Sequence, residues 1–98
     1  MDRWKTRVTE MLGMKYPIIQ GAFGGFGTSA LATAVSEAGG LGIITAYALK
    51  TPERLREDIR RLKSRTDKPF AVNLTMTLTA GLDEMVDVII DERVPVVE

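Results

Sequence analysis

The chain is 98 residues long and carries 13 basic and 13 acidic residues, so its formal net charge is zero. This balance gives no sign of a nucleic-acid partner or of an anionic membrane surface. Cysteine and histidine are both absent, which removes disulfides, thiolate chemistry, histidine metal ligands and imidazole acid–base catalysis from this segment. With 45% hydrophobic and 27% charged residues, the composition predicts one globular domain over residues 1–98.

The amino-terminal residues lack the apolar stretch of a signal peptide. No apolar run elsewhere in the chain approaches the ~20 residues that a membrane helix needs. We therefore expect a cytoplasmic protein that makes no membrane contact.

The first predicted element is a short amphipathic helix over residues 3–12, in which Trp4, Val8, Met11 and Leu12 recur at helical spacing before Gly13. Four apolar runs follow, with helix-like segments between them. They predict strands near 16–20, 41–45, 69–74 and 94–98. A period of roughly 25 residues is one strand plus one crossover helix. The chain is thus predicted to be α/β with parallel strands, and its four units suggest half of a barrel.

The segment that begins with Thr51-Pro52-Glu53 is a strong helix start, with an N-cap hydroxyl and proline at the first helical position. Arg54 with Asp58, and Glu57 with Arg61, have the i,i+4 spacing of exposed ion pairs. We interpret these charges as a solvated helix face.

Polar residues follow each apolar run, and ligands in parallel α/β folds bind at the carboxyl ends of strands. The candidate segments are 20–26, 45–47 (Thr45, Ala46 and Tyr47), 73–76 and Glu98. Every strand must leave the core at a polar residue, so the pattern also has a purely structural interpretation.

The glycine-rich loop at 21–27 is the sharpest local feature, because glycines let backbone N–H groups approach a phosphate or a flat ring. Residues 25–30 match the dinucleotide fingerprint G-x-G-x-x-A. However, the loop is longer than that fingerprint needs, and the second strand ends in Thr45-Ala46 where an acid should meet a ribose. A Rossmann-type NAD-binding module and a plain flexible loop remain alternatives.

Asn73 ends the third apolar run, and its amide can donate and accept hydrogen bonds at once. That property suits the pyrimidine edge of a flavin or the amide of a substrate. The alternative is that the side chain satisfies local backbone groups in the next loop.

Three segments, Lys15–Phe23, Ala34–Ile44 and Thr66–Leu74, together resemble the amino-terminal part of the nitronate monooxygenase family, formerly called 2-nitropropane dioxygenases. The flavin-dependent enoyl-[acyl-carrier-protein] reductases share this pattern. The resemblance implies an FMN-binding TIM (β/α)8 barrel with the cofactor at the carboxyl ends of the strands, and this chain would supply the first four units.

Carried over by position, the resemblance implies that Ala22 and Phe23 lie against FMN through their backbone and that Asn73 hydrogen-bonds the flavin. Family members commonly have methionine at the position of Phe23. The full implied cofactor-binding set is Gly21, Ala22, Phe23, Gly24, Asn73, Gln20 and Glu98. We expect no metal ligand and no catalytic residue here, since the family's catalytic histidine lies in the later half of its barrel.

The leading hypothesis is an FMN-dependent oxidoreductase that oxidises alkyl nitronates with O₂, of which this chain is the amino-terminal half. An alternative is an enoyl thioester reductase that uses NAD(P)H. A further alternative is an inactive half-barrel whose unpaired sheet edges and exposed apolar face make it a homo-oligomer.

Overall fold

The computed structural model describes residues 3–98. Five helices and three strands follow in the order α1 (Arg7–Leu12), α2 (Ser29–Glu37), β1 (Gly42–Thr45), α3 (Ala46–Leu49), α4 (Pro52–Arg65), β2 (Phe70–Asn73), α5 (Leu82–Asp91) and β3 (Val96–Val97). Among the described residues, no helix combines the length and the apolar character needed to cross a membrane.

The three strands form one parallel sheet in the order β1-β2-β3. The segment containing α3 and α4 connects β1 to β2, and α5 connects β2 to β3. Parallel neighbours require such crossovers, and short apolar strands covered on both faces are typical of them. The predicted α/β class with parallel strands is confirmed.

The sheet separates two apolar clusters. The larger lies between the sheet and the helices and includes Ile44, Val72, Leu55, Ile59 and Met85, all of them fully buried. The smaller lies on the opposite face and consists of Met14, Leu41, Ile43 and Ala71, with Leu12 and Val96 packed against it. Because successive strand residues point to opposite faces, β1 and β2 contribute to both clusters.

Helix α2 packs closely on β1, and the contact depends on Gly42. A Cβ built at Gly42 would overlap the backbone of Ala32 in α2. Any side chain at this position would therefore push the helix away from the sheet.

The strand predicted at 16–20 is replaced by a single parallel bridge between Ile19 and Leu41. The chain leaves the sheet at Gln20, whose side chain then continues the pairing by hydrogen-bonding the backbone of Ile43. The structure therefore has three strands and one bridge where four strands are predicted.

Two other boundaries differ from the prediction. The first helix begins at Arg7 and not at residue 3, because Thr6 is its N-cap and forms a reciprocal capping box with Thr9. The last strand is limited to Val96–Val97. The short helix α3 was not predicted.

Asp58 is not part of a solvated face, so the prediction of an exposed Arg54–Asp58 pair is wrong, whereas Arg54, Glu57 and Arg61 are exposed as expected. Its side chain is buried, with 2% exposure, and accepts hydrogen bonds from the Ser29 backbone N–H (2.7 Å) and hydroxyl (2.6 Å). Thr28, the N-cap of α2, forms no side-chain cap. A carboxylate on α4 thus caps α2 from another helix, and Arg61 contacts, at 3.1 Å, the Oδ1 atom that also accepts from the Ser29 hydroxyl.

Glu92 joins α4 to the end of α5. Its carboxylate is nearly buried and contacts Arg56 at 2.8 Å and Arg60 at 3.1 Å. The Lys63 ammonium also donates to the Glu92 backbone carbonyl. The hydrogen bond from Arg60 lowers the pKa of Glu92 against the opposing effect of burial. The carboxylate therefore stays charged where it ties the two helices together.

Asp58→Asn is expected to lower the free energy of unfolding by about 1–3 kcal/mol, because its new amide N–H₂ would face a donor that the carboxylate now satisfies. Glu57→Gln, at an exposed position on the same helix, should stay within about 0.5 kcal/mol of the parent. Urea denaturation followed by circular dichroism measures both. Equal stability of the two variants would show that the Asp58 cap contributes nothing.

Candidate functional site

The carboxyl ends of the three strands carry polar residues in register. Thr45 pairs with Asn73 at the ends of β1 and β2. Glu98 follows β3 by one residue, accepts a hydrogen bond from the Leu74 N–H and donates one to the Val72 carbonyl. By strand alternation, Thr45, Asn73 and Glu98 share the face of the sheet that carries Ile43, Ala71 and Val96. The carboxyl end of the sheet therefore presents three polar side chains in a row.

The Asn73 carboxamide is held in place from two sides. Its Nδ2 donates to the Glu98 carboxylate at 2.8 Å, and its Oδ1 accepts from the Thr75 hydroxyl at 2.8 Å. A primary amide has two donor hydrogens and two acceptor lone pairs. Asn73 therefore keeps one N–H and one lone pair for a ligand, in an orientation that its neighbours fix.

The glycine-rich loop lies beside this end of the sheet and is hydrogen-bonded to the last residue of β1. The Phe23 N–H donates to the Thr45 hydroxyl at 3.0 Å, and the Thr45 N–H donates to the Gly27 carbonyl at 2.6 Å. The Gly27 N–H in turn donates to the Phe23 carbonyl at 3.0 Å. The loop is therefore a closed turn attached to the sheet.

The first part of the loop is open to solvent. Gly21 and Ala22 are exposed, and a Cβ built at Gly21 or Gly25 would meet no atom within 4 Å. Among residues 3–98, no hydrogen bond occupies the backbone N–H of Gly21 or Ala22. These residues offer two free donors and unobstructed space, which fits the close approach of a flat, polar-edged ring.

Gln20 has a structural role at the start of the loop. Its Oε1 accepts from the Ile43 N–H and its Nε2 donates to the Ile43 carbonyl, both at 3.0 Å, and the residue is 8% exposed. A contact between the Gln20 side chain and a cofactor would have to use the remaining N–H or the remaining lone pair of its amide.

Two cavities lie at the opposite end of the sheet, where the strands begin. The more enclosed of them measures about 360 Å³ and is lined by residues that include Gly13, Gly39, Gly40, Lys68 and Pro69. Neither cavity includes a residue from the sequence-predicted set. In the part of the chain that the structure describes, the candidate site is thus an open surface.

The structure brings together Thr45, Asn73, Glu98 and the loop that begins at Gln20. Sequence reasoning did not single out Thr75, although it lies within the segment that follows the third apolar run. A hydroxyl two residues after a strand-ending asparagine is an ordinary turn signal, and only the fold shows that it holds the amide. The arrangement defines a parallel α/β protein whose strand ends carry a candidate site.

The known proteins that the chain resembles agree with this class. The family model described as nitronate monooxygenase matches residues 5–96. The nitronate monooxygenase of Pseudomonas aeruginosa is 52% identical over 68 residues, which are 69% of this chain and 19% of the relative. The chain therefore belongs to the nitronate monooxygenase family.

Two further relatives match nearly the whole chain. FabK from Thermotoga maritima superposes with a TM-score of 0.88 at 47% identity, over 95% of this chain and 29% of FabK. The (3aS,4S,5R,7aS)-5-hydroxy-7a-methyl-1-oxo-octahydro-1H-indene-4-carboxyl-CoA dehydrogenase of Mycobacterium tuberculosis is 37% identical over 96% of this chain and 26% of the relative. This chain spans less than a third of each of these relatives.

Gln20→Met is expected to destabilise the chain by about 2–3 kcal/mol, since it keeps the length of the side chain but leaves a backbone N–H and a carbonyl of Ile43 without partners. Ile43 is 1% exposed, so water cannot replace the lost bonds. Thermal unfolding with Ile18→Met as the control, a residue with 61% exposure, measures the effect. Similar melting temperatures for the two variants would contradict the role of Gln20.

Proposed function

We propose that this chain forms one wall of an FMN site in a flavin-dependent oxidoreductase of the nitronate monooxygenase type, as the first part of a TIM barrel. The observation that carries the proposal is the row of Thr45, Asn73 and Glu98 in register beside an exposed loop with free backbone donors. Membership of the nitronate monooxygenase family supports it.

The residues present fit a flavin. The free N–H groups of Gly21 and Ala22 can donate to its polar atoms, and the open space at Gly21 lets a ring approach the backbone. Gly24 faces the Tyr47 hydroxyl, so its missing side chain serves the packing of the loop. The remaining N–H and lone pair of Asn73 match the alternating donors and acceptors of the pyrimidine edge. The backbone N–H of Phe23 is already engaged by Thr45, so we assign Phe23 to the loop's anchorage and to contact through its half-exposed ring.

Glu98 and Gln20 have supporting places in this proposal. The Glu98 carboxylate accepts one N–H of Asn73 and so fixes which N–H remains for the ligand. Gln20 holds the start of the loop against β1. Both residues act on the orientation of the groups that bind.

FMN would supply the two-electron chemistry, and the residues of this chain would bind and orient it. The chain contains no histidine, so we assign no proton transfer to it. The leading reaction for the protein to which these residues belong is oxidation of an alkyl nitronate with O₂.

A flavin-dependent enoyl thioester reductase is the second candidate, favoured by the similarity to FabK over 95% of the chain. The same wall would serve both reactions. Oxygen uptake with an alkyl nitronate would support the first candidate, and oxidation of NAD(P)H that depends on an enoyl thioester would support the second. If the whole protein to which these residues belong has neither activity when it is loaded with flavin, both reactions are excluded for it.

The FMN site can be tested through side-chain amide resonances, because Asn73 and Gln20 are the only carboxamides in the chain. Titration with FMN, followed by ¹H–¹⁵N correlation spectra, is expected to shift the Asn73 NH₂ pair and the Gly21 and Ala22 amides saturably. The Gln20 NH₂ pair should move less, since it is committed to Ile43.

Asn73→Ala should weaken FMN binding roughly tenfold through the loss of hydrogen bonds to the flavin. Glu57→Gln, which is remote from the strand ends, should leave the affinity unchanged. The absence of any saturable shift, or shifts confined to the amino ends of the strands, would contradict the proposed site.

We also propose that the 98-residue polypeptide self-associates. Large apolar side chains are exposed on the segment that covers β1 (Ile18, 61%; Ile19, 49%) and on the edge strand β3 (Val97, 52%). An unpaired edge strand such as β3 is prone to pair with another chain, and exposed apolar side chains favour association. Sedimentation velocity at low micromolar concentration is expected to show a dimer or larger species, and a single monomeric boundary would contradict this.

A further inference from the structure

Thr45 is the last residue of β1, and its side chain is fully buried. Its hydroxyl accepts a hydrogen bond from the Phe23 N–H at 3.0 Å, across 22 positions of sequence. A buried strand residue thus supplies a partner for the backbone of an otherwise exposed loop.

The backbone of Thr45 holds the other end of the same loop. Its N–H donates to the Gly27 carbonyl at 2.6 Å, while the Gly27 N–H donates to the Phe23 carbonyl at 3.0 Å. One residue therefore fixes both ends of the turn from Phe23 to Gly27.

The fit between this turn and the neighbouring residues is tight at two of its glycines. A Cβ built at Gly27 would overlap the Thr45 hydroxyl and the Phe23 carbonyl. A Cβ at Gly24 would lie 2.5 Å from the Tyr47 hydroxyl. The two glycines thus let the turn lie directly against Thr45 and Tyr47, which are separated by only one residue in sequence.

Thr45 is also the register partner of Asn73. The hydrogen bond from Phe23 therefore sets the distance between the loop donors and the Asn73 amide, the two sets of groups that the proposed site assigns to the flavin. Neither the hydroxyl nor the backbone N–H of Thr45 needs to touch a ligand for this to hold.

We propose that Thr45 is a positioning residue for the flavin, acting through the Phe23 N–H and the Gly27 carbonyl to hold the glycine loop at the correct distance from Asn73. The inference rests on the proposed FMN site. It assigns the buried hydroxyl a role in cofactor affinity beyond its contribution to stability.

The test compares Thr45→Val, which keeps the shape but removes the acceptor, with Thr45→Ser, which keeps the hydroxyl. Thr66→Val is the matched structural control. Thr66 is also nearly buried, with 8% exposure, and its hydroxyl accepts a backbone N–H, that of Lys68, at the far end of the sheet. All three variants are measured for amide hydrogen exchange without cofactor and for FMN affinity by flavin fluorescence.

Thr45→Val is expected to speed exchange of the Phe23 amide roughly five- to tenfold and to weaken FMN binding by a similar factor, the usual effect of one lost hydrogen bond. Thr45→Ser should restore both quantities to within about twofold of the parent, because its hydroxyl can accept the same bond. Thr66→Val should change neither, even if it lowers the melting temperature equally.

Two results would overturn the inference. Unchanged Phe23 exchange in Thr45→Val would show that the hydroxyl does not hold the loop, and unchanged FMN affinity despite faster exchange would show that loop position does not matter to the flavin. If the parent chain binds no FMN, the proposed function itself fails, and the exchange data alone then decide whether Thr45 anchors the loop.

Discussion

The structure depends on how the free backbone edge of β1 is satisfied. Leu41, Ile43 and Thr45 direct their N–H groups away from β2, and all three are buried, so each group needs a partner within the protein. A continuous strand would provide these partners by backbone pairing. Here three different groups accept these hydrogen bonds: the backbone carbonyl just before Ile19, the side chain of Gln20 and the carbonyl of Gly27.

The replacement of backbone strand pairing by these other groups determines where the glycine loop lies. Because the Gln20 side chain takes over the pairing, the backbone is released from the sheet one residue before Gly21. The backbone returns to the sheet at Gly27, whose carbonyl accepts a hydrogen bond from the Thr45 N–H. Residues 21–26, which lie between these two points, are exposed at the carboxyl ends of the strands, on the side of Asn73. The same hydrogen bonds that complete the sheet therefore leave an open surface at the strand ends, where we propose the flavin binds.

The helices pack on the other face of the sheet, and two buried carboxylates join them to one another. Asp58 joins α4 to the first turn of α2, and Glu92 joins α4 to the end of α5. Such contacts fix the angles between helices that apolar packing alone leaves free, since hydrophobic burial has no direction. The helices that cover this face of the sheet are therefore fixed relative to one another.

Much of this arrangement was predictable from local patterns. The apolar runs predict β1, β2 and the crossover helices, because a buried parallel strand and an amphipathic helix each have a distinct periodicity. Thr51 caps α4 as predicted, accepting the Arg54 N–H at 3.2 Å. The predicted strand at 16–20 has the same apolar composition as the others and differs only in what its last side chain does in three dimensions. Asp58 was likewise misread because i,i+4 spacing describes one helix and contains no information about a second one.

The sequence by itself determined the class of fold, the alternation of its main helices and strands, and the end of the sheet where a site is expected. These follow from periodicity and turn residues, which are local, while the family follows from the resemblance of three motifs in order. Tertiary structure alone decided that Gln20 pairs with Ile43, that Thr45 holds the loop and that Thr75 and Glu98 orient Asn73. Each of these except the Thr75 contact joins residues more than twenty positions apart, and such partners are chosen by strand register and helix packing.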